Sequence, residues 1–177
     1  MFPKAHATAY VIMALRIAWF KVHRPLYYYA AYFSRRAEAF DIVAMVKGYQ
    51  AISIRVKELE EKIQNKQASN KELELYNTLL LALEMTARGY GFKQIDIHKS
   101  DWRDFLIEGN DLILSFRTMD NLGDATAKSI TDARAEAMFT SKKDVLRRTK
   151  VNATIFERLN EIGALDGLPD DDQIELF

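Results

Sequence analysis

The chain has no cysteine, which excludes disulfides and thiolate metal sites and is compatible with a reducing cytosol. It has no net charge either, because 25 lysines and arginines meet 25 aspartates and glutamates. The summed field therefore names no partner, and any grip on nucleic acid must come from local patches. Long apolar runs are missing as well. The most apolar stretch, residues 7–15, is closed by Arg16 and falls far short of the roughly 20 residues that cross a bilayer. Arg16, Lys21, His23 and Arg24 occupy the place where a secretory leader would carry its cleavage site. A soluble, cytoplasmic protein with no membrane partner is expected. At 177 residues the chain suffices for one ordinary domain or two small ones.

The three prolines act as punctuation. Pro3 suits the first turn of a helix and Pro25 ends it. Between them Tyr10, Val11, Ala14, Leu15, Ala18, Trp19 and Val22 mark one apolar face. Ile12, Met13, Ile17 and Phe20 make the helix apolar nearly all round, so it asks for burial on several sides and is expected to pack on polypeptide upstream of this sequence. Next come Tyr27, Tyr28, Tyr29, Tyr32 and Phe33, with Arg35 and Arg36 directly behind. Core packing is the expectation for this cluster, and stacking on nucleobases is its other use. Residues 41–64 and 70–88 read as two long helices in an antiparallel pair, the second capped by Asn70. Lys57, Glu58, Glu60, Glu61 and Lys62 give the first a solvated face. Gly89 and Gly91 stop the helical pattern; residues 94–98 then alternate as a strand does, and two apolar runs flank Gly109 and Asn110 as in a hairpin. The predicted fold class is mainly α with a small β insertion.

Residues 118–134 hold the most informative pattern. Asn121 and Gly123 both tolerate φ > 0, and a helical run follows at once. The amides of Gly123, Asp124, Ala125 and Thr126 would then stand free at a helix N-terminus, with Lys128 one turn on, which is a seat for a phosphate. This resembles a helix-hairpin-helix, which holds DNA through phosphates rather than bases; Asn121 stands where that motif usually has its first glycine. A plain helix–turn–helix corner suits the same spacing. Further on, Lys142, Lys143, Arg147, Arg148 and Lys150 lead into Asn152 and a helix ending at Gly163, a second candidate turn at 149–154. Lys143, Arg147, Arg148, Lys150 and Asn152 join the first set as candidate DNA contacts. After Pro169 an acidic, flexible C-terminal tail closes on Gln173, Ile174, Glu175, Leu176 and Phe177. A glutamine amide plus two adjacent large apolar side chains is an anchor set for a pocket on a partner.

Three pieces together resemble one family. Phe2-Pro-Lys-Ala-His-Ala-Thr-Ala-Tyr, continued by Phe20-Lys-Val-His-Arg-Pro-Leu-Tyr-Tyr-Tyr, resembles the end of the fingers of bacterial replicative DNA polymerase III α subunits of the PolC type. Residues 122–166 resemble their tandem helix-hairpin-helix region, and Gln173-Ile-Glu-Leu-Phe resembles their sliding-clamp motif. The resemblance divides the chain into fingers helices at 1–91, the β insertion at 92–117, tandem helix-hairpin-helix at 118–168 and a clamp-binding tail at 169–177. It implies a DNA-directed DNA polymerase, a nucleotidyltransferase working with two magnesium ions held by palm aspartates. It also implies that Phe2 and Tyr10 lie against base and sugar of the incoming nucleotide, Lys4 and His6 towards its triphosphate, and Gln173, Ile174, Leu176 and Phe177 in the clamp. Helical spacing puts His6 and Tyr10 on one face, and separates Lys4 from His6. The partners implied are duplex DNA, a bacterial sliding clamp, a deoxynucleoside triphosphate in the complete enzyme and the upstream polymerase domains.

Magnesium belongs to the complete polymerase, and no cofactor, metal ligand or catalytic residue is assigned within this chain. Asp101 and Asp104 lack a supporting strand and residues 170–172 lie on the tail, so neither group is expected to hold metal. Primer extension by this chain alone is expected to be undetectable. The alternative reading is a stand-alone DNA-binding adaptor that recruits the clamp without catalysis.

Overall fold

The structure, a computed structural model, describes residues 3–171. Helix α1 (Lys4–His23) begins directly after Pro3 and stops short of Pro25, which opens α2 (Pro25–Arg35) at its first position. No residue of α1 is buried. The helix is held at its C-terminal end, where Lys21 pairs with Glu84 at 2.7 Å and Arg88 donates to the Lys21 carbonyl at 3.3 Å. The aromatic cluster of α2 divides by helical face: Tyr29 and Phe33 are buried, Tyr28 and Tyr32 half-buried, and Tyr27 is 65% exposed. Phe33 packs its ring 5.3 Å from Phe92 and 5.4 Å from Phe105. Burial and the neighbouring Glu84 carboxylate push the Tyr29 phenol well above its ordinary range.

The single helix expected over 41–64 is two, α3 (Ile42–Lys47) and α4 (Tyr49–Gln64), because Gly48 turns at φ 87° between them. Asp41 caps α3, its carboxylate accepting from the Ala44 amide at 3.0 Å, and also takes Arg55 Nε at 3.2 Å. Helix α5 (Asn70–Ala87) is capped by Ser69 rather than Asn70. The Glu72 amide donates to Ser69 Oγ at 3.3 Å while Glu72 accepts from the Ser69 amide at 2.9 Å, the reciprocal pair of a capping box. Lys62 reaches the same carboxylate at 2.7 Å and so ties α4 to α5. That bond, with those from Ser69, lowers the Glu72 carboxyl to about 2. Three strands follow, β1 (Gly91–Lys93), β2 (Leu106–Glu108) and β3 (Asp111–Ile113), in the order β1-β3-β2. β2 and β3 form the antiparallel hairpin about Gly109, and β1 adds to β3 in parallel. Lys93 and Lys99 bond Glu108 and bring it to about 2 as well.

Both glutamates have folded values below their unfolded ones. Their contribution to stability is therefore complete above about pH 4.5 and disappears as pH falls through about 2. The expected result is a melting temperature that drops across that window and drops less steeply in Glu72→Gln, read by circular dichroism; a flat profile there would contradict the pairing.

The strand expected over 94–98 is absent. Ile95 and Ile97 are buried as alternation demands, but the chain turns at Asp96, which accepts from the His98 amide at 2.8 Å and donates its own amide to Ser100 Oγ at 3.0 Å. The Ile97 amide bonds the Ala164 carbonyl at 3.0 Å. The remainder is a short 3-10 helix (Phe116–Thr118), α6 (Asp124–Glu136), α7 (Lys142–Arg148) and α8 (Ala153–Glu161). One hydrophobic core runs without a break from Tyr29 and Phe33 through Leu79, Met85 and Leu112 to Ile130 and Leu159, so the sheet is a shared wall rather than an insertion standing apart. Among the described residues no helix is long and apolar enough to cross a membrane.

Candidate nucleic-acid interface

Asn121 stands at φ 66°, the left-handed conformation that the turn before α6 requires and that asparagine tolerates better than most residues. Gly123 does not use its freedom: it sits extended at φ −66° as the residue preceding α6, without a side chain to cap the helix. A Cβ there would meet nothing within 4 Å, so the approach to the helix end is open. The Thr126 amide, expected to be free, donates to the Gly123 carbonyl at 2.9 Å. Among the described residues, the amides of Gly123, Asp124 and Ala125 have no protein acceptor, leaving three donors and the positive helix end facing solvent.

The second turn reaches the same end state differently. It has no left-handed residue. Asn152 caps α8, its side chain accepting from the Ile155 amide at 2.9 Å while its carbonyl takes the Phe156 amide. This leaves the amides of Ala153 and Thr154 without a protein acceptor among the described residues. Neither is among the sites expected from the sequence, although the asparagine three residues before Ile155 is the signal that marks them. The two turns are joined. The Lys150 amide donates to Ser129 Oγ at 3.0 Å, docking the second turn onto α6 one residue from Lys128, and Arg158 donates to the Asp120 carbonyl of the first turn at 3.3 Å. Lys128 and Lys150 are both exposed and have no carboxylate partner among the described residues.

The other expected cations have carboxylate partners within the protein. Arg148, with a side chain 20% exposed, fastens α7 to the end of α6: it donates to the Ala137 carbonyl at 2.8 Å and to that of Ala133, pairs with Asp144 at 3.0 Å and lies over the Phe139 ring. Arg147 pairs with the other oxygen of Asp144 at 2.6 Å. Burial would raise the Asp144 carboxyl, but the bonds from Arg148, Arg147 and the Thr140 amide outweigh it and hold the group below the usual carboxylate range. Lys143 pairs with Asp171.

On α1, Lys4, His6 and Tyr10 are exposed, and the His6 and Tyr10 rings meet edge-on at 4.6 Å, as their spacing predicts. Phe2, Gln173, Ile174, Leu176 and Phe177 lie outside the described residues. Asp101 and Asp104 have structural partners: the Arg103 and Asp104 amides both donate to Asp101 Oδ1 at 2.8 Å, and Asp104 pairs with Arg35 at 3.0 Å. Among the described residues no group of three histidine or carboxylate side chains is placed to hold a metal.

Residues 89–173 match the helix-hairpin-helix motif family, a span that takes in the sheet as well as the two turns. All 177 residues align with the DNA polymerase III PolC-type proteins of Streptococcus sanguinis and Streptococcus pneumoniae at 49% identity, and with that of Streptococcus thermophilus at 48%. The chain spans 12% of the length of these relatives.

Proposed function

Since the whole chain is a relative of PolC-type DNA polymerase III, we propose that it serves as the part of a replicative polymerase that grips the product duplex, completes the nucleotide side of the fingers and tethers the enzyme to a sliding clamp. The observation that carries the reading is the pair of docked turns, with unpartnered amides at Gly123 to Ala125 and at Ala153 and Thr154, flanked by Lys128 and Lys150. Such a surface takes phosphates of either strand and reads no bases. At the far end of α1, Lys4 and His6 orient the triphosphate of a deoxynucleotide, and Tyr10 with Phe2 supports its sugar and base. Magnesium, held elsewhere in the complete polymerase, supplies the charge stabilisation for nucleotidyl transfer; the residues of this chain bind and position. Nine large apolar side chains of α1 are exposed, Trp19 and Phe20 among them. A surface of that size and character favours a polymerase body packed on the helix over a stand-alone adaptor.

The test is a titration with duplex DNA across a range of salt. Affinity is expected to fall steeply with salt and to ignore sequence. The double variant Lys128→Ala, Lys150→Ala is expected to bind about tenfold more weakly near 0.1 M salt and to flatten the slope by about 2, one for each phosphate that is no longer neutralised. Binding that ignores salt, or a double variant indistinguishable from the parent, would refute the interface.

A further inference from the structure

From the way the root of the tail is fastened, we infer that the face of α7 and α8 around Leu146 is a second contact surface for the same protein whose pocket takes Gln173 to Phe177. The inference rests on the tether reading above and adds to it a surface on the folded body. After Pro169 the chain is strapped across the start of α7. The Lys142 amide donates to the Pro169 carbonyl at 2.8 Å and the Lys143 amide to the Asp170 carbonyl at 3.2 Å. The side chains repeat the connection, Lys142 with Asp170 at 3.0 Å and Lys143 with Asp171.

Asp171 is thus fixed on the body, and only six residue steps separate it from Phe177. Fully extended, six steps span about 20 Å. A protein that encloses Gln173 to Phe177 in a pocket is therefore held within about 20 Å of Asp171, close enough for the rim of that pocket to meet this face. The face is built to receive it. Leu146 is exposed there, and an open hollow of about 290 Å³ between the two helices is lined by Leu146 and Phe156 together with Lys142, Lys143, Asn160 and Asp170. The occupant is the apolar rim beside the tail pocket of the clamp. A short, fixed connection makes this second contact intramolecular once the tail is engaged, so a weak patch adds measurably to affinity.

The experiment compares the full chain with a peptide of residues 169–177 in titrations against a bacterial sliding clamp. The full chain is expected to bind at least tenfold more tightly. Leu146→Asp, which removes the apolar contact, and the pair Asp170→Asn, Asp171→Asn, which loosens the strap without touching the core, are each expected to return the chain towards the affinity of the peptide. The same two asparagines placed in the peptide are expected to change nothing. Equal affinity of chain and peptide, or parental affinity in both variants, would overturn the inference while leaving the tether intact. Failure of both chain and peptide to bind would remove the tether reading itself.

Discussion

Arg148→Ala is expected to lower stability by about 3 kcal/mol, the range seen when one partner of a buried ion pair is removed. The Asp144 side chain it faces is only 3% exposed, and the guanidinium also satisfies the Ala133 and Ala137 carbonyls at the end of α6. The lower part of that range applies because Arg147 still reaches Asp144 from the solvent side. Three kilocalories per mole is about a hundredfold in the folding equilibrium. In urea the midpoint should fall with the slope unchanged. Lys150→Ala, by contrast, should leave stability within about 0.5 kcal/mol of the parent and weaken duplex binding. An Arg148→Ala protein of parental stability that no longer bound DNA would reverse the assignment and return this arginine to the phosphate surface.

Phe33→Ala should cost more, about 3–5 kcal/mol, as for other large core aromatics. Its ring is 1% exposed and lies between α2 and the sheet, against Phe92 and Phe105. The next residue strengthens the seam, since the Phe105 amide donates to Ser34 Oγ at 2.8 Å. Tyr27→Ala, more than a turn away on the exposed face, should stay within about 0.5 kcal/mol. Both are read by the same chemical unfolding. Similar losses at the two positions would mean that the outer aromatics are also core, against their exposure.

That contrast shows where the sequence is legible. Five aromatics in seven residues announce burial, but which of them face inward is decided by the phase of α2 against a sheet far along the chain. Asn121 is readable because few residues enter the left-handed region without strain, so an asparagine between Asp120 and Leu122 narrows the turn by itself. The cap of α5 falls one residue before the expected Asn70 because Ser69 and Asn70 can both cap; the choice falls to Glu72, which stands three residues after Ser69 and completes the reciprocal pair. Gly48 breaks a helix whose apolar pattern continues across it, since the local backbone carries the bend to φ 87° while the side-chain period does not register it. The alternation of Ile95 and Ile97 signals burial correctly and strand wrongly, because the backbone there bonds side chains and Ala164 instead of a neighbouring strand. Among five basic residues between 142 and 150, composition cannot say which guanidinium turns inward; the buried Asp144 selects Arg148.

Helix α1 is a cantilever. It is pinned near Lys21 by Glu84 and Arg88 and leaves the core without burying any of its own residues. Lys4 lies seventeen residues beyond the pin, about 25 Å at the rise of an α-helix. A tilt of about 10° at the pin therefore sweeps Lys4 and His6 through about 4 Å, more than the whole length of a hydrogen bond. A small change in the salt link at one end is therefore magnified at the other.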